Sequence, residues 1–265
     1  MKNAKAEACE VLYQPKSSKY SEAIRIYQGC PTIAVTKGGR IYLGWYSGGT
    51  GEPHMDNYNL VVYSDDQGIT WSEPLLVIPS SYEKQVHALD IQLFIDPQGA
   101  LHVLWVQNNT RPAPEELPRV RKGQPLVSVD GYLFDDFGHS EWEVVCREPD
   151  AKQPEFGKPR YLYQGFLRCK PTFLENGDWL CFAYDQLTDR YGYSISQDQG
   201  QTFAHYYGAE KLDTYFDECM AYQMEDGRIR MFARSGLGVL AECVSGDNGR
   251  TWGPAVKSNI VAADT

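Results

Sequence analysis

The chain has 265 residues, enough for one large or two small domains, and its 42% hydrophobic content supplies a core for either. A net charge of −10 argues against a basic stripe that could follow a phosphate backbone, which excludes nucleic acid as the partner. Eighteen Tyr and six Trp favour β structure and ring-stacking surfaces of the kind that bind sugars.

At the N-terminus, Met1-Lys2-Asn3-Ala4-Lys5-Ala6-Glu7 lacks the apolar stretch of a signal peptide, and no apolar run approaches the ~20 residues of a membrane span. Seven cysteines, an odd number without C-x-x-C spacing, read as free thiols. These features predict a reduced, cytoplasmic protein with no membrane association. They do not fix an oligomeric state.

The first predicted element pair is the run Pro31-Thr32-Ile33-Ala34-Val35, a turn at Gly38-Gly39, and the alternating run Ile41-Tyr42-Leu43-Gly44-Trp45-Tyr46. Two apolar runs around a Gly turn read as a β-hairpin. After the loop Gly51-Glu52-Pro53-His54-Met55-Asp56-Asn57-Tyr58 comes a third strand, Asn59 to Ser64. It leads into the octet Ser64-Asp65-Asp66-Gln67-Gly68-Ile69-Thr70-Trp71. The second hairpin opens with Val86-His87-Ala88-Leu89-Asp90 and turns at Gly99. Residues 107–140, rich in Pro and polar residues, read as an inter-strand insertion.

A third hairpin follows Lys170-Pro171 and turns at Gly177. The octet Ser196-Gln197-Asp198-Gln199-Gly200-Gln201-Thr202-Phe203 comes next. A fourth turns at Gly227 and ends in Ser245-Gly246-Asp247-Asn248-Gly249-Arg250-Thr251-Trp252. In each octet the Ser and Asp oxygens can accept from backbone N–H groups, Gly supplies a positive φ, and the aromatic anchors the turn. Between the second and third hairpins, Pro149 to Pro159 reads as a decayed copy, with Phe156-x-x-Pro159 matching Trp71-Ser72-Glu73-Pro74.

Three in-register octets mark a repeat, and the 50-residue step from Gly177 to Gly227 suits a β-propeller blade. Helical periodicity is nowhere sustained. The expectation is one all-β propeller domain over residues 1–265 with four visible blades. No His/Asp/Glu cluster has metal-ligand spacing, so neither metal nor cofactor is expected. Strands nearest a propeller axis begin at its functional rim, and His87, Asp90 and Lys170 precede such strands. Surface placement accounts for a lone loop His or a solvated Lys equally well.

Octets of this consensus are the Asp boxes of the sialidase (neuraminidase) superfamily, and the chain resembles its bacterial sialidase-like members (proteins with BNR repeats) along nearly its full length. The resemblance implies a six-bladed propeller truncated here to about four blades. It also implies a glycan substrate and an exo-glycoside hydrolase releasing a terminal sugar, an acidic one being the family's type. A non-catalytic glycan- or protein-binding propeller and a polysaccharide lyase on the same scaffold stand as alternatives, because fold does not dictate chemistry.

Residue by residue, the resemblance covers Asp217-Glu218-Cys219-Met220 through Phe232-Ala233-Arg234-Ser235. It assigns Glu218 to activating a Tyr nucleophile and Arg234 to gripping the substrate carboxylate, while the nucleophile itself falls in blades absent from this chain. It assigns Asp56 as acid/base. A plain salt bridge would also explain Glu218 and Arg234. Two departures stand out. Where sialidases carry an Arg before the first inner strand, this chain reads Gln28-Gly29-Cys30-Pro31, and after the first hairpin it reads Trp45-Tyr46-Ser47-Gly48-Gly49 in place of a second Arg.

Overall fold

Each first hairpin turns on a glycine at positive φ: Gly39, Gly99, Gly177 and Gly227. Two residues beyond, Ile41, Leu101, Trp179 and Ile229 pair with Ser64, Cys146, Ser196 and Ser245. One register therefore recurs in four antiparallel sheets, as the sequence repeat predicts. The computed structural model describes residues 7–117, 127–184, 188–212 and 218–262. Among them the only helical elements are two short 3-10 turns, Ser18–Tyr20 and Glu22–Ile24, so the chain is all-β. No helix among the described residues is long and apolar enough to cross a membrane.

The described residues fall into two compact units, 7–117 with 127–161 and 162–262. In the first unit, blade 1 comprises β1 (Leu12–Tyr13), β2 (Gln28–Val35), β3 (Ile41–Ser47), β4 (Tyr58–Ser64) and β5 (Leu76–Pro79) in the order β1-β5-β4-β3-β2. Blade 2 is built from β6 (Val86–Ile95), β7 (Leu101–Pro112), β8 (Ser128–Val129) and β9 (Tyr132–Cys146). The chain leaves this unit within β10 (Arg160–Gln164). Strands β7 and β9 pair from Leu101↔Cys146 out to Pro112↔Tyr132, so part of segment 107–140 is an extension of this ladder. Residues 118–126 of that segment lie outside the described residues, as does Asp217.

In the second unit, β11 (Phe166–Leu167) pairs with β14 (Ala183–Tyr184). Blade 3 runs β12 (Thr172–Phe173), β13 (Trp179–Cys181), β15 (Arg190–Ser196), β16 (Ala204–Glu210). Blade 4 runs β17 (Cys219–Gln223), β18 (Ile229–Ala233), β19 (Val239–Ser245), β20 (Val256–Val261).

Strand alternation turns one face of each blade toward its neighbour in the same unit. Tyr42, Val61, Leu76, Leu93, Trp105 and Trp142 share a core between blades 1 and 2, and Leu180, Tyr193, Met231 and Cys243 share one between blades 3 and 4. Each pair also carries a threonine tie from the Pro-Thr step that starts its first blade. Thr32 accepts from the Leu93 amide (3.1 Å), and Thr172 donates to the Ala221 carbonyl (2.7 Å).

All three octets close with the same bonds. Ser64, Ser196 and Ser245 donate to Asp66, Asp198 and Asp247 at 2.8 Å and accept from the amides of Gly68, Gly200 and Gly249. Each Asp in turn accepts the amide and hydroxyl of Thr70, Thr202 or Thr251. The thiol of Cys146 takes the Ser place in blade 2. Its longer turn still closes with the Gly157 amide on the Val145 carbonyl (2.9 Å), as Ser72 closes on Tyr63. The freed Asp150 instead accepts from Thr36 and from the Gly38 amide of blade 1.

Candidate functional site

Glu218 directly precedes β17 and stands opposite Arg234 at the end of the β17–β18 ladder, where the Arg234 amide donates to the Glu218 carbonyl (3.0 Å). Cross-strand neighbours of opposite charge meet by construction. Arg234 Nη1 lies 3.2 Å from Glu218 Oε2, and Arg168 Nε reaches Oε1 at 3.2 Å. The carboxylate is thus held at both oxygens by guanidinium groups from two blades. All three side chains are partly exposed, at 24–36% of their full area, so the trio is accessible to a ligand. Lys170, two residues beyond Arg168, reaches solvent, and partial desolvation lowers its pKa.

Arg168 escaped the sequence reading. Its signal is the shared Pro-Thr step: Arg168-Cys169-Lys170-Pro171-Thr172 parallels Gln28-Gly29-Cys30-Pro31-Thr32, and only the third blade carries Arg there.

In the first unit, the loop between β3 and β4 is organised by Asn57. Its side-chain amide donates to the carbonyls of Gly48 (2.6 Å) and Gly51 (3.1 Å), so its Oδ1 faces the other way. That oxygen accepts the His54 amide (2.7 Å) and lies 3.1 Å from His87 Nε2. His87 therefore carries its proton on Nε2. It is fully buried, with the Phe134 ring edge-on at 4.9 Å, and reaches the surface chemistry through Asn57 rather than by touching a ligand. Burial first, then the nearby His139 and His54, push its pKa down to about 3.

Asp56 is exposed on this loop and accepts the Tyr82 hydroxyl (3.3 Å). Its own amide donates to His54 Nδ1 (3.0 Å), which leaves His54 Nε2–H to bond Asp130 (2.8 Å). Asp90 is buried at a β-bulge of β6 with φ 43°. The structure thus brings Asp56 and His87 into one network through Asn57 and His54 in the first unit, and Glu218 together with Arg234 in the second.

A second pair missed by the sequence reading is Tyr27 with Glu52. The Tyr27 hydroxyl donates to the Glu52 carboxylate and lies 3.4 Å from the Tyr46 hydroxyl. Burial first, then the bond to Glu52 and the charges of Glu52, Cys30 and Asp90, hold the Tyr27 hydroxyl well above the usual phenol range. No spacing rule links positions 27 and 52, because loop closure alone brings them together. Among the described residues no group of three or more His, Cys, Asp or Glu could hold a metal ion.

No family model matches the chain, and no curated protein matches it by sequence. Solved structures do resemble it. A protein of unknown function from Dyadobacter fermentans is 20% identical with a TM-score of 0.66, over 97% of this chain and 74% of that one. The NanB sialidase from Streptococcus pneumoniae is 15% identical with a TM-score of 0.64, over 96% of this chain and 54% of NanB. The intramolecular trans-sialidase from Ruminococcus gnavus, solved with oseltamivir carboxylate, is 14% identical with a TM-score of 0.63, over 95% and 73%. The chain therefore has the sialidase propeller fold and spans about half the length of NanB.

Proposed function

We propose that the chain is an exo-acting glycoside hydrolase of sialidase-like type that releases a terminal sugar from glycans. The observation that carries the reading is Glu218, fixed between Arg168 and Arg234 at an accessible blade end. A carboxylate oriented at both oxygens is suited to take a proton from an attacking group, and the guanidinium groups stabilise charge that develops beside it. Arg234 and Lys170 supply donors for sugar oxygens. Asp56 acts as the acid/base: it is exposed, and its backbone is fixed through His54 and Asn57. Asp90 and His87 belong to the substrate-binding side of the first unit, His87 by holding Asn57 in place.

Hydrolysis of a panel of aryl glycosides (sialosides, uronides and rhamnosides) tests the reading. Turnover of at least one, lost in Asp56→Asn, is expected. Glycan binding without turnover on any would favour a non-catalytic glycan-binding propeller instead.

A further inference from the structure

Gly29 sits in β2 beneath the Tyr27 side chain. A Cβ placed on it would lie 2.5 Å from the Tyr27 hydroxyl and 3.0 Å from its ring, so any larger residue requires Tyr27 to swing away. Tyr27 is in turn held over this position by Glu52 and packs on Tyr46 with ring centroids 5.5 Å apart. Trp45, on the opposite face of β3, packs against the cluster of Tyr20 and Tyr58 and donates to Gln28 (3.0 Å). The result is one partly exposed ring, Tyr27, backed by the buried Tyr46, with an exposed carboxylate at its edge, and one Glu52 oxygen is committed to Tyr27.

Arg25 stands on that opposite face, over Trp45, and does not serve the Tyr27 side as an anion clamp. Its Nη2 donates to the Tyr20 carbonyl (2.9 Å), and its guanidinium lies over Trp45, 5.5 Å from the ring centroid.

We propose that Tyr27 and Glu52 make this first-blade site selective for an uncharged, hydroxyl-bearing sugar and exclude carboxylated ones. A pyranose presents apolar C–H faces that pack on aromatic rings, and hydroxyls that donate to a carboxylate oxygen. A ligand carboxylate would instead meet Glu52 at close range, and like-charge juxtaposition of this kind weakens binding by ~100-fold or more. In the second unit, the guanidinium groups of Arg168 and Arg234 both already contact Glu218.

The inference rests on the glycan-directed reading above. It is tested by applying the 265-residue chain to an array of glycans with neutral and carboxylated termini, then titrating the strongest ligand of each class by calorimetry. Neutral termini should bind at least ~100-fold more tightly than carboxylated ones. Glu52→Gln should narrow that ratio to ~10-fold or less through a gain for the carboxylated ligand. Tyr27→Phe, which keeps the ring but frees the carboxylate, should leave the ratio wide. Equal binding of a sialylated or uronylated terminus, or a ratio unmoved by Glu52→Gln, overturns the inference while leaving a glycan function standing. Binding of neither class contradicts the glycan reading itself and this inference with it. Glu52 is exposed, and an unchanged melting curve of the variant shows that its fold is intact.

Discussion

A small set of side chains repeats the same work at each octet. The Ser196 hydroxyl is fully buried, donates to Asp198 and accepts the Gly200 amide at 2.8 Å. Ser196→Ala removes both bonds of the buried hydroxyl, so it should cost about 1–3 kcal/mol in urea denaturation. The Asp partners are legible from sequence because Asx and Ser chemistry is local. Thr70 and Ser64 hold the Asp66 carboxyl down to about 2, and Thr202 and Ser196 do the same for Asp198. His87 titrates in a higher window. Its folded pKa of about 3 lies below its ordinary value of 6.5, so the unfolded chain takes up the proton first as pH falls. The stability it contributes is complete above about pH 6.5 and declines toward pH 3, by at most about 1.4 kcal/mol per pH unit. Between pH 6.5 and 4.5, where carboxylates of depressed pKa remain ionised, His87→Gln should flatten the dependence of the denaturation midpoint on pH. An unchanged slope in the variant would show that His87 is not the buried neutral group described.

The strands and turns of the blades were largely predictable, since Gly turns, alternation and the octets are short-range signals. The decayed copy was legible through Phe156, yet its inter-blade role was not, because Asp150 reaches Thr36 and Gly38 across more than a hundred residues. Arg168 and the Tyr27–Glu52 pair were missed for the same reason: contacts made between blades or by loop closure leave no periodic trace. Octet glycines are not equivalent either. Gly68 has φ 87° and only Trp71 near its missing Cβ, at 3.6 Å, whereas a Cβ on Gly200 (φ 80°) would meet the Trp179 ring at 2.4 Å. Gly68→Ala should cost about 1–2 kcal/mol for the left-handed backbone alone. Gly200→Ala should cost about 2–5 kcal/mol, because overpacking adds to it. Thermal melts of the two variants compare them directly, and equal losses would contradict the packing described at Trp179.

At the scale of the molecule, the all-β propeller fold was readable from the repeat, and the likeness to NanB and the R. gnavus trans-sialidase supports that fold. Substrate chemistry was less readable. Residues that departed from the sialidase pattern, Gly29 above all, only acquire meaning once Tyr27 is seen lying over that position. In the proposed reaction Glu218, clamped by Arg168 and Arg234, takes the proton of the group that attacks the glycoside. The direct measurement is the turnover number of Glu218→Gln against the unmodified chain on the best aryl glycoside, with binding of the intact glycoside measured alongside. Turnover should fall by about 100-fold or more, with affinity changed by less than about tenfold. Turnover unchanged in the variant would contradict this role of Glu218.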